Sequence, residues 1–308
     1  MSLNLRIVFT ALATLMALAG QLNAVDLLYV RQGNSVFTYD ISLMSATAVS
    51  NSKQTLFTGG IGTYGDLSID NLGNIFVADT YGNKINKFSA SGTLLNSIDT
   101  RTNITSPRYL AFDNTGNLLA SDGRIAKYDS NGAFQSYAGN ITGVYGMILH
   151  SNGYLYSADP SSNSVKIYNS NYLMMGSIGS STNLSSPRQP AFDSSGNIYV
   201  ANYNSRNISK FDSSGVFQNY IGSNLTYIES LGVGSDGYIY ASGSGLINKF
   251  DTSGNLIFSW NNPGSGTPFL AFAPTAVPEP STYALGLIAS GALAAIAKRR
   301  KSRKITIA

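Results

Sequence analysis

A six-bladed β-propeller is the fold class this sequence predicts, and three observations predict it. One unit of alternating apolar and polar residues recurs five times between Leu67 and Gly254. The glycines closing the first turn of each unit, at 73, 116, 153, 196 and 237, stand 43, 37, 43 and 41 residues apart, and a period near forty is that of a four-stranded propeller blade. The two ends of the repeat region supply complementary parts of a sixth unit.

Each unit justifies its strands in the same order. The first runs from Leu67-Ser-Ile-Asp through Gly73-Asn-Ile-Phe-Val-Ala-Asp79 to Lys84-Ile-Asn-Lys-Phe88 and the turn at Gly92. The second, third, fourth and fifth repeat that order from Leu110, Met147, Pro190 and Leu231. Short apolar runs of period two read as strands. The Asp-x-x-Gly reversals between the first and second strands use glycine where positive φ is needed. His150 takes the place that Asp70, Asp113 and Asp193 hold in other units, and reads as a turn residue. The second-strand endings Asp79, Asp122, Asp159 and Asn202 read as turn formers too, because Arg31 and Gly243 interrupt them as a ring of metal ligands. No helical periodicity competes in the central region.

The closing blade is composite. Asp26 to Asp40 matches the second and third strands of a unit but lacks a first, whereas Phe269 to Ala273 matches a first strand with none following. Pairing the two shuts the ring and removes its open sheet edges. Residues 25–275 then give about 42 residues per blade.

The segments SPRYLAFDNTGNLLASD, from Ser106, and SPRQPAFDSSGNIYVAN, from Ser186, resemble NHL repeats. That resemblance implies a propeller and leaves activity open, since propellers of this kind include enzymes, scaffolds and nucleic-acid binders.

Both termini read as export machinery. Arg6, the apolar stretch Ile7 to Ala19 and a small residue at Ala24 make a signal peptide of residues 1–24. At the other end, Val277, Pro278, Glu279 and Pro280 precede an apolar stretch from Tyr283 to Ala297 and a cluster of six cations from Lys298 to Lys304. Fifteen helical residues span about 22 Å, short of a bilayer core of roughly 30 Å, and the cations hold the C-terminus on the cytoplasmic side. The run VPEPSTYALGLIASGALAAIAKRRK resembles the PEP-CTERM signal of Gram-negative envelope proteins. The resemblance implies an exosortase-like sorting enzyme as partner, a membrane helix before processing, and delivery of the propeller to the cell surface or extracellular space. Residues 276–308 form this sorting segment.

Charge must be counted without those ends. The chain carries +4, but seven of its 20 cations lie in the terminal segments, and the remaining 13 face 16 acidic residues, a balance of −3. The basic footprint of a nucleic-acid binder is absent from the exported part. There is no cysteine, so stability rests on burial and backbone pairing without disulfides.

The sequence offers no catalytic set. One histidine cannot build a three-ligand zinc site. Outside the sorting segment Glu229 is the only glutamate, so a calcium site of the lactonase-like propellers would need rebuilding from Asp and Asn. The expectation is a non-catalytic protein without metal or cofactor, with a metal-dependent hydrolase or lyase as the competing reading.

Binding residues are sought where the repeat breaks. Just before the first strand of each blade stand the pairs Gly65/Asp66, Arg108/Tyr109, Tyr145/Gly146, Arg188/Gln189, Glu229/Ser230 and Pro268/Phe269. Variation on a regular scaffold marks exposed loops to which binding is added. Asp66, Arg108, Tyr109, Tyr145, Arg188, Gln189 and Glu229 are therefore the candidate ligand residues for a glycan or a surface protein, with an Arg188–Glu229 ion pair between neighbouring blades as the structural alternative.

Overall fold

The computed structural model describes residues 26–262 and 266–272; the expected signal peptide, the expected membrane segment and the sorting motif at Val277–Pro280 lie outside them. Six antiparallel four-stranded sheets make the fold. From the channel outward, blade 1 is Leu67–Ile69, Ile75–Asp79, Lys84–Phe88 and Leu94–Asp99. Blades 2 to 5 repeat this from inner strands at Tyr109–Phe112, Met147–Leu149, Pro187–Phe192 and Ser230–Val233. The closing blade takes its inner strand, Phe269–Phe272, from the C-terminal side and Leu27–Gln32, Ser35–Asp40 and Lys53–Thr58 from the N-terminal side. The closure is antiparallel, with Leu28 opposite Phe272 and Arg31 opposite Phe269.

The period-two pattern explains the core. Successive side chains of a strand point to opposite faces, so Leu28 and Val30 pack on Tyr240, Ile247 and Trp260 of blade 5, while Tyr29 packs on Leu67, Ile75 and Val77 of blade 1. Each such buried side chain contributes about 1.5–3 kcal/mol by leaving water. The core is thus a set of seams between adjacent blades.

Turn chemistry does what its residues require. The five first-turn glycines have φ between 78° and 85°. Asp70, Asp113 and Asp193 accept from the amide four residues on, at 2.8–2.9 Å. His150 keeps the role in part, accepting from the Asn152 amide through Nδ1 at 3.3 Å. Asp79 and Asp159 likewise accept from Gly82 and Ser161 amides.

The closing blade departs from the pattern. It lacks the Ser/Asn-Gly turn between its third and fourth strands, and a longer connection carries a helix, Val49–Ser52. One turn is too short to leave a helical period in the sequence. Among the described residues no helix is long and apolar enough to cross a membrane.

Candidate functional site

The chain enters every inner strand on one face, called here the rim face, and the first residues of those entries converge. Arg108, Tyr145, Arg188 and Glu229 stand at equivalent positions of blades 2, 3, 4 and 5. Blade 2 is opposite blade 5 in a ring of six, and an arginine is long enough to cross the channel. Arg108 Nη2 donates to Glu229 Oε2 at 3.0 Å and to Oε1 at 3.2 Å, and also to the Tyr64 hydroxyl oxygen. The Tyr109 hydroxyl donates to Glu229 Oε2 at 3.1 Å. Arg188 Nε lies 3.6 Å from the same oxygen, while its Nη1 donates to Ser186 Oγ.

The expected Arg188–Glu229 pair is therefore present, but Arg108 is the closer partner and comes from across the ring. Two guanidinium groups share one buried carboxylate, and together they close the channel at the rim face. Burial, then the Glu229 charge, raises the pKa of Tyr64 and of Tyr109, so both hydroxyls remain protonated. Tyrosine faces complete the cluster: the Arg108 guanidinium carbon lies 4.9 Å from the Tyr64 ring centre and 5.3 Å from that of Tyr145, distances at which the quadrupole attracts a cation.

Asp66 and Gln189 part from the other five candidates. Both line a cavity of about 390 Å³ behind the closure, walled by the inner strands of all six blades. Asp66 Oδ2 accepts from the Leu110 amide at 3.2 Å, and Gln189 Nε2 donates to the Met147 carbonyl. Asp66 is short and stays inside the channel, whereas Tyr109 at the corresponding position is long enough to return its hydroxyl to Glu229. Burial raises the Asp66 carboxyl to about 7, against the Leu110 and Leu67 amides and the charge of Arg31. Arg31 itself is fully buried and donates to the Gly62 carbonyl at 2.5 Å; burial pushes it down to about 10, opposed by Asp79 and Asp66. The residue that broke the aspartate series thus answers the charges of blade 1.

Beside the closure, a second cavity of about 410 Å³ opens on the rim face between blades 1, 2 and 3. Tyr64, Tyr81 and Tyr145 form aromatic walls, Arg108 and Asp122 supply charge, and Thr80, Ser106 and Ser121 supply hydroxyls. Asp122 is oriented by the amides of Thr105 and Arg124, at 3.0 and 3.1 Å. Ser121 Oγ and Arg108 Nε are buried and have no hydrogen-bond partner in the protein. Tyr81, by contrast, is 72% exposed.

Sequence reasoning missed Tyr64 and Tyr81. Tyr64 lies one residue outside the aligned pairs, and Tyr81 sits in the turn between the second and third strands, where the third unit has Ser161. A tyrosine among such small polar turn residues was the available signal. Among the described residues, no three His, Cys, Asp or Glu side chains gather as a metal site.

Comparison with known proteins agrees with both parts of the chain. Residues 276–301 match the PEP-CTERM protein-sorting motif. No curated protein matches the chain in sequence. Many solved structures share the fold. A chain of the nidogen/laminin complex superposes with a TM-score of 0.70 at 14% identity, over 81% of this chain and 99% of that one. A streptogramin B lyase gives 0.57 at 16% identity, over 76% and 78%, and a gluconolactonase from Xanthomonas campestris gives 0.58 at 16% identity, over 76% and 82%. At such identities the likeness is one of fold, and it spans catalytic and non-catalytic proteins alike. The body is a six-bladed propeller, and the chain carries a PEP-CTERM sorting signal.

Proposed function

We propose that this is an exported propeller, sorted to the cell surface or extracellular matrix, that binds glycan without catalysis through its rim face. The observation that carries the reading is the cleft between blades 1, 2 and 3. Sugars present apolar C–H faces and a ring of hydroxyls, and their sites combine aromatic surface with a few fixed polar groups. Tyr81, Tyr64 and Tyr145 offer the surface. Arg108 offers planar donors, Asp122 an acceptor, and Ser121 Oγ an unengaged hydroxyl at the base of the cleft.

Export and sorting rest on the C-terminal signal. An exosortase-like enzyme would act at Val277–Pro280, before the apolar stretch. The domain organisation we propose is a signal peptide of residues 1–24, a propeller of 25–275 and a sorting segment of 276–308.

The test is a glycan array probed with the full chain in mild detergent. Retention on a defined polysaccharide class supports the reading. Background signal on every glycan, with capture of a surface protein instead, overturns it in favour of a protein-docking role. Turnover of a lactone or glycan substrate by the pure protein would move the assignment to a hydrolase or lyase.

A further inference from the structure

The aromatic and guanidinium groups of the rim face continue past the cleft. Tyr81 and Tyr64 have ring centres 6.3 Å apart, and Arg108 lies over Tyr64 and Tyr145. Arg188 then lies 4.4 Å from the Tyr145 ring centre and 4.6 Å from that of Tyr203. Tyr203 stacks on Tyr227 at 4.8 Å with 32° between the planes, and Arg206 sits 5.0 Å from the Tyr227 ring. Tyrosine and arginine thus follow one another from the turn of blade 1 to the loop that enters blade 5. Both ends are open to solvent, Tyr81 at 72% and Tyr227 at 44%. The cleft holds only the first part of this series; Tyr203, Tyr227 and Arg206 are not among the residues that line it.

We propose that the series is an extended track for a linear, unbranched polysaccharide, gripped along its length by successive rings. The inference rests on the glycan reading above and adds that the site takes internal segments of a chain and not single end sugars. Four observations favour this ligand. Repeating aromatic faces match a polymer of repeating apolar faces, and the guanidinium groups between them hold donors for hydroxyls. The buried, unpartnered Ser121 Oγ points to a hydrogen-bonding ligand in the cleft end of the track. An extended peptide finds no ladder to join, because the rim amides of Asp66, Arg108, Tyr145 and Glu229 already donate within the propeller, to Arg108, Ser121, Ala158 and Ser242 carbonyls. A nucleic acid would meet the Asp122 carboxylate in the cleft.

Calorimetric titration of the full chain in detergent with cello-, chito- and galacturonate oligosaccharides, from disaccharide to octasaccharide, tests the track. For one of the three ladders, affinity is expected to rise about tenfold or more between disaccharide and hexasaccharide and then level. Tyr227→Ala is expected to weaken the hexasaccharide about fivefold, about 1 kcal/mol, and leave the disaccharide unchanged, while Tyr227→Phe restores it. Tyr227 is solvent-exposed, and unchanged melting of the variant confirms its fold. Equal affinity at all lengths, equal loss for short and long sugars in Tyr227→Ala, or no binding to any of the three ladders overturns the track. An array positive for glycans of another kind would then leave the broader reading standing, whereas a blank array removes both.

Discussion

Arg108 and Glu229 meet at 3.0 Å across the central channel although they occupy equivalent positions in opposite blades. Repeat symmetry places six such positions around one axis, and a long cation opposite an acid is the combination that bridges it. Glu229 is the shared partner, because Arg188 and the Tyr109 hydroxyl address the same oxygen.

That sharing makes the two ends of the pair unequal. Replacing Glu229 by Gln leaves two guanidinium groups without their counter-charge, and breaking a buried pair this way costs about 3–5 kcal/mol. Replacing Arg108 by Gln leaves Glu229 with Arg188, and the expected loss is about 1–2 kcal/mol. Urea denaturation of the two variants checks the ranking; equal losses would show that Arg188 does not compensate.

Closure depends on one short strand. Phe269 is fully buried and packs edge-on against Tyr64, at 5.3 Å, and Tyr109, at 6.2 Å. Phe269→Ala is expected to cost about 3–5 kcal/mol. A chain ended after Asn262 loses the inner strand of the closing blade and exposes the edge of Leu27–Gln32. Size-exclusion chromatography should then show aggregation in place of a monomeric peak.

Asp66 gives the fold a pH dependence of defined sign. Its carboxyl is raised to about 7 by burial. Between the ordinary carboxylate range, near 4, and about 7, the folded chain keeps a proton that the unfolded chain releases. Rising pH therefore favours unfolding across this window, by on the order of a few kcal/mol, and has no further effect through Asp66 above it. Urea midpoints at pH 5 and pH 8 should differ for the native sequence and converge in Asp66→Asn, whose amide oxygen can still accept from Leu110. An unchanged pH slope in the variant would remove Asp66 as its source.

Backbone strain can be isolated at Gly116, where φ is +79° and an added Cβ meets nothing within 4 Å. Gly116→Ala is expected to cost about 1–2 kcal/mol through the left-handed conformation alone. A thermal melt at native stability would contradict that backbone requirement.

The blades were legible because their signals are local: alternating strands, aspartate-led turns and glycines at positive φ recur within some forty residues. The composite blade was legible because each end lacked what the other had. The rim was legible only in part. Breaking of the repeat located Arg108, Tyr145, Arg188 and Glu229, but pairing followed chain neighbourhood, so Arg188 was matched with Glu229 while Arg108, 121 residues away, formed the closer bond. Alignment could not separate Asp66 and Gln189, which line the channel, from Tyr109, because side-chain length and not register sends Tyr109 back to Glu229. Tyr64, Tyr81, Tyr203 and Tyr227 fell outside the aligned pairs, at loop positions whose residue identity changes from unit to unit.

The most direct test of the account is a crystal structure of the protein with the glycan that it retains best. The account predicts sugar rings lying on Tyr81 and Tyr145 with a hydroxyl within hydrogen-bond distance of Ser121 Oγ and Arg108. Sugar bound elsewhere, in the channel cavity beside Asp66 or along the outer strands, with the rim face unoccupied, would contradict it.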